Sequence, residues 1–305
     1  MMAPTTKRTV LITGCSDGSL GSHLAVAFHN ADWRVFATAR NTSKLNAVRS
    51  AGIETIQLDT LSPESIKGSV STVTQLTGGS LDMLLNNAGA GYSMPLMDLD
   101  LDKTRDLFEL NAYSLITVTR AFLPLLRASE TIHGRVRGGI VVNNTSCSSL
   151  TCAALPFAGA YNASKAAATS ITEVMRLELA PFGIKVVNLM TGSVRSTFHA
   201  NAPHEKLPVG SIYQVAKEVV EKTLSGGSGA VDGANPEQWA KRIVGQLSKS
   251  SPAYWIWGGK WSTTAWVSTF LPVGFMDWVT KPMVGLDQVE KKIEERKRGD
   301  RAKSA

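Results

Sequence analysis

The sequence predicts an α/β fold in which a parallel sheet is covered by helices on both faces. Short apolar runs rich in β-branched residues alternate with longer helical stretches, an order typical of strands joined by helical crossovers. The chain has 305 residues, of which 43% are hydrophobic and 19% charged, so it is able to bury a large core. We expect residues 1–200 to form the core of one domain, residues 201–285 to extend it, and residues 286–305 to form a charged tail.

Charge and cysteine content argue against several classes of protein. The formal net charge is +7, and the last sixteen residues contribute +3 of it, from seven basic and four acidic side chains. The remaining bias is mild, so we expect no nucleic-acid partner. Cys15, Cys147 and Cys152 have no CxxC spacing, which predicts neither a disulfide framework nor a metal site, and favours a reducing compartment such as the cytoplasm. The sequence contains no run of eighteen apolar residues, so it predicts no membrane span.

A glycine-rich turn follows the first predicted strand, residues 9–13. Gly14, Gly18 and Gly21 precede a helical stretch over residues 22–30. Glycines between a strand and a helix let the backbone approach a diphosphate, whose charge the helix N-terminus attracts. The spacing is G-x-x-x-G-x-x-G rather than G-x-G-x-x-G, and a purely steric role is the alternative. The position of the turn at the first strand-to-helix junction favours a dinucleotide site.

The next two predicted strands end at polar residues that bear on the choice of dinucleotide. Arg40 stands just beyond residues 33–38, where an acid would bind a ribose 2′-hydroxyl and a base would accept a 2′-phosphate. Arg40 therefore favours NADP(H) over NAD(H), with a solvated surface arginine as the alternative. Asp59 follows residues 53–58 and is placed to accept a hydrogen bond from an adenine amine.

The remaining core elements continue the alternation. A Ser-Pro-Glu start predicts a helix over residues 62–76. A long helical stretch over residues 99–128 is expected to be interrupted at Pro124. Three further strands are expected at residues 81–85, 139–144 and 184–190.

The helix predicted after the fifth strand carries Tyr161 and Lys165, four residues apart and therefore on one face. An ammonium group near a phenol favours the phenolate and lowers its pKa toward neutrality. A phenol tuned in this way is able to give or take a proton in carbonyl or alcohol chemistry. An ordinary amphipathic helix would show the same spacing. A hydroxyl cluster at residues 145–149 lies at the carboxyl end of the fifth strand, where open α/β sheets bind ligands.

Three ordered motifs make the chain resemble the short-chain dehydrogenase/reductase family over about residues 9–200. The resemblance implies a Rossmann-type doubly wound sheet of about seven parallel strands, of which the patterns above locate six, and direct hydride transfer to a carbonyl. The three motifs are Thr13-Gly14-x-x-x-Gly18, Asn86-Asn87-Ala88-Gly89 and Tyr161-x-x-x-Lys165.

The resemblance also implies roles for single residues. Tyr161 would donate the proton, and Lys165 would lower its pKa and hold the nicotinamide ribose. Ser146 would hydrogen-bond the substrate oxygen, and Asn111 would hold a water in a proton relay. No catalytic metal is implied. The residues expected to contact NADPH or NADP+ are Gly14, Ser16, Gly18, Leu20, Arg40, Asp59, Asn87, Ala88, Gly89, Tyr161, Lys165, Val194 and Ser196.

The chain departs from the family pattern in three places. One extra residue precedes Gly21, which affects the path of the chain at residues 19–20. Thr191 stands where the family usually has proline, which is expected to loosen the following turn. The usual count back from the tyrosine gives Ser148 as the catalytic serine, whereas the strand pattern G-x-x-x-N-x-x-S gives Ser146. We prefer Ser146, because an insertion fits the loop better than the strand.

Within the family, the chain looks like a fungal branch of 1-acyldihydroxyacetone-phosphate reductase-like enzymes and secondary-metabolite ketoreductases. That branch implies an apolar ketone as substrate, and the family implies a homodimer or homotetramer. The alternatives are a nucleotide-binding sensor or scaffold without chemistry, and a dehydration or epimerisation on the same fold. The residues that carry this finer resemblance are 13–16, 37–40 and 177–183.

The last third of the chain carries fewer chemical signals. Residues 198–208 are expected to form a substrate lid, and residues 211–224 and 236–247 to form helices. Residues 254–279 contain five of the seven tryptophans. That density would suit the cap of an apolar pocket, a dimer contact, a satellite of the core, or peripheral contact with the endoplasmic reticulum or lipid droplets.

Overall fold

The structure is a computed structural model, and it describes residues 7–129, 138–198, 200–201, 205–226 and 232–303. Seven strands form one sheet, in which every neighbouring pair is parallel. The strands are β1 Thr9–Ile12, β2 Arg34–Ala39, β3 Glu54–Gln57, β4 Met83–Asn86, β5 Ile140–Asn144, β6 Lys185–Thr191 and β7 Trp255–Gly258. Their order, β3-β2-β1-β4-β5-β6-β7, confirms the predicted doubly wound fold.

Eleven α-helices lie in the described part of the chain. The helix α8 begins and ends where the sequence predicts. The helices are α1 Leu20–Asn30, α2 Asn46–Ser50, α3 Pro63–Thr77, α4 Leu101–Phe108, α5 Ser114–Arg127, α6 Gly159–Leu179, α7 Lys217–Leu224, α8 Pro236–Leu247, α9 Ser262–Ser268, α10 Asp277–Met283 and α11 Leu286–Lys303. None of them is both long and apolar enough to cross a membrane.

Successive strand side chains enter two different apolar layers, as the two-residue period of a strand requires. In β1, Val10 and Ile12 belong to one layer and Leu11 to the other. The first layer packs α1 and α8 on the sheet, through Leu24, Ala25, Phe28, Ala240, Ile243 and Leu247. The second packs α3 and α5 on the opposite face, through Ile66, Val73, Val118, Phe122 and Leu126. The sheet is therefore covered on both faces.

The seventh strand comes from the tryptophan-rich segment, where the sequence predicts no strand. β7 pairs with β6 from Asn188 opposite Trp255 to Thr191 opposite Gly258. Only Ile256 and Gly258 of this strand are buried, because β7 is the edge strand. A four-residue strand with two half-buried tryptophans is too short for its sequence to distinguish a strand from other apolar segments, and it lacks the β-branched enrichment of the inner strands.

The expected interruption at Pro124 is wrong. α5 continues through Pro124 to Arg127, and the long helical stretch is instead broken by a π-helical turn at Glu109–Tyr113. Proline removes the hydrogen bond to the carbonyl of Arg120. Because Arg120 is exposed, water is able to satisfy that carbonyl, while buried Phe122, Leu125 and Leu126 hold the helix on the sheet.

Candidate active site

The candidate site lies at the carboxyl ends of the inner strands, where parallel α/β sheets bind ligands. The glycine turn follows β1 and leads into α1. Gly14 and Gly18 both have positive φ, +73° and +74°, which favours glycine at these positions. A Cβ atom on Gly14 would lie 2.9 Å from the Cα of Ala88, and one on Gly21 would lie 2.4 Å from the carbonyl oxygen of Gly14. The turn is thus packed too tightly for other residues.

The N-terminus of α1 is shaped for an anion. Ser19 caps the helix by accepting a hydrogen bond from the amide of Ser22 at 3.2 Å, and its hydroxyl donates to Gly14 at 2.9 Å. No acidic side chain lies in the first turn of α1. Asp17 is the nearby acid, and it is turned away, because its carboxylate accepts hydrogen bonds from the backbone of Asn46 and Ala47 at α2.

A buried hydroxyl at this turn also fits a bound diphosphate. The amide of Thr197 donates to the carbonyl of Gly18 at 3.1 Å, and a Cβ atom on Gly18 would lie 2.7 Å from Cγ2 of Thr197. The Oγ1 atom of Thr197 is buried and has no hydrogen-bond partner among the described residues. A buried hydroxyl without a partner costs free energy unless a ligand satisfies it. The glycine turn, the helix N-terminus and Thr197 together fit a dinucleotide.

The residues expected to recognise the nucleoside lie at the ends of β2 and β3. The side chain of Arg40 is exposed immediately after β2, while its carbonyl accepts from Nε2 of Gln57 at 3.2 Å. Asp59 is half-buried, and its carboxylate accepts from the amide of Leu61 at 3.0 Å. Ser16 and Leu20 are half-buried in the glycine turn and at the start of α1.

The Asn86–Gly89 motif clamps the end of β4 onto the glycine turn. Oγ1 of Thr13 accepts from the amides of Asn87 and Ala88, both at 2.9 Å. Nδ2 of Asn87 donates to the carbonyls of Thr13 at 2.9 Å and Gly14 at 3.2 Å. A Cβ atom on Gly89 would lie 3.0 Å from Oδ1 of Asn111 and 3.5 Å from Nζ of Lys165, so this glycine lets two candidate residues approach the motif.

Asn144, which the sequence analysis did not single out, joins the ends of three strands. Its Nδ2 donates to Oδ1 of Asn87 at 2.9 Å, and its Oδ1 accepts from the hydroxyl of Thr191 at 2.5 Å. Its backbone carbonyl accepts from Nζ of Lys165 at 3.0 Å. Thr191 is the last residue of β6, where this hydroxyl anchors it, and the expected loosening of the following turn stays a prediction. In the sequence, the pair Asn143-Asn144 at the end of β5 is the signal that could have identified Asn144.

Tyr161, Ser146 and Lys165 lie together at the start of α6. Ser146 is buried beside the Tyr161 phenol, whose pKa it lowers, whereas Ser148 is half-buried in the 3₁₀ turn Cys147–Ser149. The amide of Ser148 donates to Oγ of Ser146 at 3.1 Å. Two 3₁₀ turns, Cys147–Ser149 and Thr151–Ala153, occupy the expected insertion. The geometry therefore favours Ser146 over Ser148.

The expected lowering of the Tyr161 pKa by Lys165 is wrong in this structure. Burial raises the pKa of the Tyr161 phenol above its ordinary value, and the hydrogen bond with Ser146 opposes that rise only in part. Burial lowers the pKa of Lys165 to about 8. Removal of the charged form from water sets the direction of both shifts. The spacing of Tyr161 and Lys165 thus predicts their shared location but not their acidities.

Asn111 lies in the π-helical turn and is buried. Its Nδ2 donates to the carbonyl of Ala90 at 2.9 Å and to the hydroxyl of Ser164 at 3.0 Å, and its Oδ1 accepts from the amide of Ala90 at 2.9 Å. Both side-chain donors are therefore used within the protein. Isolated π turns are frequent at functional sites, and the expected water relay stays a prediction.

The segment 194–198, which we call the strap, spans the two halves of the site. Val194 is buried, and Oγ of Ser196 accepts from the amide of Phe198 at 3.3 Å. Thr197 contacts the glycine turn, as described above, and the rings of Phe198 and Tyr161 lie 5.7 Å apart. The sequence analysis missed Thr197 and placed Phe198 only at the start of the lid. Residues 199 and 202–204 of that expected lid lie outside the described residues.

A scan of the described residues finds no group of three His, Cys, Asp or Glu side chains placed to hold a metal ion. The residues that converge on the site are instead a serine, a tyrosine, a lysine and asparagine amides. These groups donate and accept hydrogen bonds and move protons.

Comparison with known proteins agrees with this arrangement. A family model described as short chain dehydrogenase matches residues 8–207. A short-chain dehydrogenase/reductase of Pestalotiopsis microspora is 42% identical over 290 residues, which cover 94% of this chain and 97% of that protein. An NADPH-dependent 1-acyldihydroxyacetone phosphate reductase of Schizosaccharomyces pombe is 35% identical over 283 residues, covering 88% of this chain and 90% of that protein.

A solved structure extends the likeness to the whole fold. The crystal structure of a short-chain dehydrogenase from Streptomyces avermitilis superposes with a TM-score of 0.71 at 26% identity, covering 97% of this chain and 98% of that one. The motif resemblance and the fold predicted from it are confirmed. The chain belongs to the short-chain dehydrogenase family, whose members are oxidoreductases that bind nicotinamide cofactors.

Proposed function

We propose that the protein is an NADPH-dependent reductase that converts an apolar ketone to its alcohol. The observation that carries the proposal is that buried Ser146 adjoins the Tyr161 phenol and acts on its pKa, at the same carboxyl edge of the sheet as the glycine turn. A carbonyl oxygen placed between these two hydroxyls would accept a hydrogen bond from each of them. That geometry suits the reduction of a carbonyl by hydride transfer.

The chemistry divides between the cofactor and the chain. NADPH would supply the hydride to the carbonyl carbon. Tyr161 would donate its proton to the carbonyl oxygen, so that the product is a neutral alcohol. Ser146 would stabilise the negative charge that develops on that oxygen, and positioned donors of this kind are worth about 10²–10³-fold in rate. The raised pKa of Tyr161 keeps the phenol protonated, which suits a proton donor in the reductive direction.

Lys165 and Asn111 would position these groups. Lys165 is held by the carbonyl of Asn144, one turn of α6 beyond Tyr161, where its ammonium is placed to bind the nicotinamide ribose. Asn111 is hydrogen-bonded to the backbone of Ala90. It would hold a water molecule that relays the replacement proton to Tyr161.

NADPH is proposed over NADH because a base follows β2. Arg40 is exposed at the point where the ribose 2′-phosphate would lie, and a guanidinium binds phosphate through paired donors. The Schizosaccharomyces pombe relative is named as NADPH-dependent. We propose that the other expected residues also contact the cofactor. They are Gly14, Ser16, Gly18, Leu20, Asp59, Asn87, Ala88, Gly89, Val194 and Ser196.

An apolar substrate is proposed because apolar rings surround Tyr161. Tyr161 packs on a cluster that contains Tyr92, Met94 and Phe157, and Phe198 lies against its ring. Relatives of this chain include a reductase named for an acylated dihydroxyacetone phosphate. A substrate with a long hydrocarbon portion would match both observations.

We also propose a homodimer or homotetramer in the cytoplasm, formed through the faces of α4, the π-helical turn Glu109–Tyr113 and α6. These elements carry exposed apolar side chains, although their other faces are packed within the protein. The exposed fractions are 60% for Leu101, 48% for Tyr113, 51% for Val174 and 64% for Leu177. Sedimentation of the wild-type protein and of a Leu177→Glu variant tests this, and a monomeric wild type would contradict it.

The test of the reaction is NADPH oxidation with a panel of ketones of increasing chain length. We expect turnover with apolar ketones, a loss of at least 10²-fold in Tyr161→Phe, and transfer of deuterium from labelled NADPH to the alcohol carbon. Arg40→Ala should weaken NADPH binding while leaving NADH binding unchanged. NADPH binding with no turnover of any ketone would contradict the proposal and favour a sensor or scaffold.

A further inference from the structure

An exposed apolar surface, which we call the aromatic platform, is formed by residues 261–283, including α9 and α10. Scattered apolar side chains are normal on protein surfaces, whereas a contiguous group marks a binding surface. The rings of Trp266 and Phe270 are in contact, with centroids 5.4 Å apart, and the other exposed side chains follow in the same short run of α9, α10 and the turn between them. The exposed fractions are 46% for Trp261, 47% for Trp266, 72% for Phe270, 97% for Val273, 52% for Phe275 and 72% for Trp278.

The platform carries little charge. No charged residue occurs in residues 261–276, and Asp277 is the first acid after them. The lysines at either end are already paired, since Lys260 donates to Asp232 and Lys281 lies 2.8 Å from Glu290. Attraction of a partner to this surface must therefore come mainly from burial of apolar groups, rather than from charge.

The order of side chains along the platform favours a lipid surface over a protein. Tryptophans stand on both sides of the turn that holds Phe270, Val273 and Phe275, and a lysine stands outside them at each end. Val273 is almost fully exposed beside Gly274, whose φ is +89°. Indole rings settle at the boundary between lipid headgroups and acyl chains, while phenylalanine and valine enter deeper and lysines remain outside. A second copy of the chain would not require this order.

The inner face of the platform adjoins the active site. Ser262, Ala265 and Ser268 of α9 are buried, and α9 packs on the two 3₁₀ turns that follow Ser146. The hydroxyl of Ser268 lies 3.2 Å from Sγ of Cys152. A surface that rests on the platform would therefore lie next to the rim of the site.

We propose that the aromatic platform docks the protein on a zwitterionic phospholipid surface, from which the active site receives its apolar ketone. Docking itself does not depend on the reaction, whereas delivery of the ketone rests on the proposed function. Because the terminal lysines are paired, docking needs no anionic lipid and withstands salt.

Flotation with phosphatidylcholine vesicles tests docking. We expect the wild-type protein to float with the vesicles at low and at high salt, and the triple variant Phe270→Ser, Val273→Ser, Phe275→Ser to lose roughly tenfold or more in partitioning. A control variant replaces three exposed apolar residues elsewhere, with equal fold stability checked by urea unfolding of both. Its substitutions are Leu61→Ser, Leu76→Ser and Val209→Ser.

Three results would overturn docking: wild-type protein that stays in the soluble fraction, flotation lost at high salt, or equal loss in the control variant. If the wild type does not float and the triple variant alone sediments as a smaller species, the platform is a contact between copies of the chain.

Delivery is tested with two ketones, one dissolved in water and one long-chain ketone carried in the vesicles. The triple variant should match the wild type on the water-soluble ketone and fall about tenfold in kcat/KM on the vesicle-borne one. Equal loss on both ketones would contradict delivery. If neither the wild type nor the triple variant reduces either ketone, the proposed reaction is contradicted. The flotation result still decides docking in that case.

Discussion

Lys165 shows how burial sets the acidity of a residue in this site. Its pKa falls from the ordinary 10.5 to about 8. Between about pH 8 and pH 10.5, Lys165 is protonated in the unfolded chain and neutral in the folded protein. The free energy of unfolding therefore rises with pH across this range. Below about pH 8 the buried ammonium costs about 3 kcal/mol, less what its bond to Asn144 returns.

Replacement of Lys165 by methionine should therefore stabilise the fold. We expect Lys165→Met to raise the free energy of unfolding at pH 7 by about 1–3 kcal/mol, with a gain that shrinks as the pH approaches 10.5. Urea unfolding at several pH values measures it. Lys67→Met, at an exposed lysine of α3, is the control and should change stability by less than about 0.5 kcal/mol. A destabilised Lys165→Met at pH 7 would show that the bond to Asn144 outweighs the burial cost.

The choice between the two serines is open to a direct comparison. Ser146→Ala removes the buried hydroxyl beside the Tyr161 phenol, so we expect kcat to fall about 10²–10³-fold. Ser148→Ala removes a hydroxyl of the 3₁₀ turn that begins after Ser146. Turnover should therefore stay within a few-fold of wild type. Steady-state kinetics of both variants decides. If Ser148→Ala is the inactive variant, the register of the inserted loop is wrong.

Asn144 should couple the strand ends to cofactor binding. Asn144→Ala removes the bonds to Asn87 and Thr191, and we expect a loss of about 1–3 kcal/mol in stability together with weaker NADPH binding. Thr191→Val removes only one of these bonds and should cost less. A double-mutant cycle, read by urea unfolding and by NADPH fluorescence, measures their coupling. Additive effects would contradict a shared network.

For single residues, the sequence predicts which side chains share the site better than it predicts their burial and acidity. The four-residue spacing correctly places Tyr161 and Lys165 on one helix face, because helix geometry is local. The directions of their pKa shifts depend on how much water the folded chain removes, which no spacing encodes. Asn144 has no motif of its own, since its partners lie 57 and 47 residues away along the chain.

Among the elements, the glycine turn has a strict sequence requirement. Gly21→Ala would place Cβ 2.4 Å from the Gly14 oxygen and 2.6 Å from Nδ2 of Asn87, so the turn or α1 must shift. We expect NADPH affinity to fall by at least about tenfold and stability by about 1–3 kcal/mol. Isothermal titration and urea unfolding measure the two losses.

Gly68→Ala is the matched control, because a Cβ atom there meets nothing within 4 Å inside α3. It should stabilise the protein by about 0.5–1 kcal/mol and leave NADPH binding unchanged. Equal effects of the two substitutions would contradict the close packing of the glycine turn.

Most elements could be predicted because each has a local cause. The caps of α3 and α8, Ser62 and Asn235, precede a proline at the first helical position, so their starts are encoded locally. The π turn at Glu109–Tyr113 and the edge strand β7 have no such signature, because tertiary packing decides both. The expected helix over residues 211–224 begins instead as the 3₁₀ turn Ile212–Ala216 before α7.

At the scale of the whole molecule, the family-matched part of the chain does not contain all the elements that form the sheet and cover it. α8 and β7 both follow residue 207, yet α8 packs on α1 and β7 covers the edge of β6. Trp33 donates to Oγ of Ser248 at 3.2 Å, which joins the first part of the chain to the last. The C-terminal third therefore contributes to the central sheet as well as to its surroundings.

A truncated chain tests this. The fragment 1–207 loses α8 and β7, exposing Phe28 and the edge of β6, so we expect it to aggregate or remain unfolded. The fragment 1–295 loses mainly exposed residues of α11 and should keep the wild-type melting temperature within a few degrees. Circular dichroism and sedimentation distinguish the two. A soluble, cooperatively folded 1–207 fragment would contradict this dependence.

The strap has one more consequence. Thr197 contacts the glycine turn, and the neighbouring Phe198 contacts the Tyr161 ring. A ligand that displaces one of these residues would also move the backbone that carries the other. We therefore expect the release of nucleotide and the release of ketone to be coupled through this short segment.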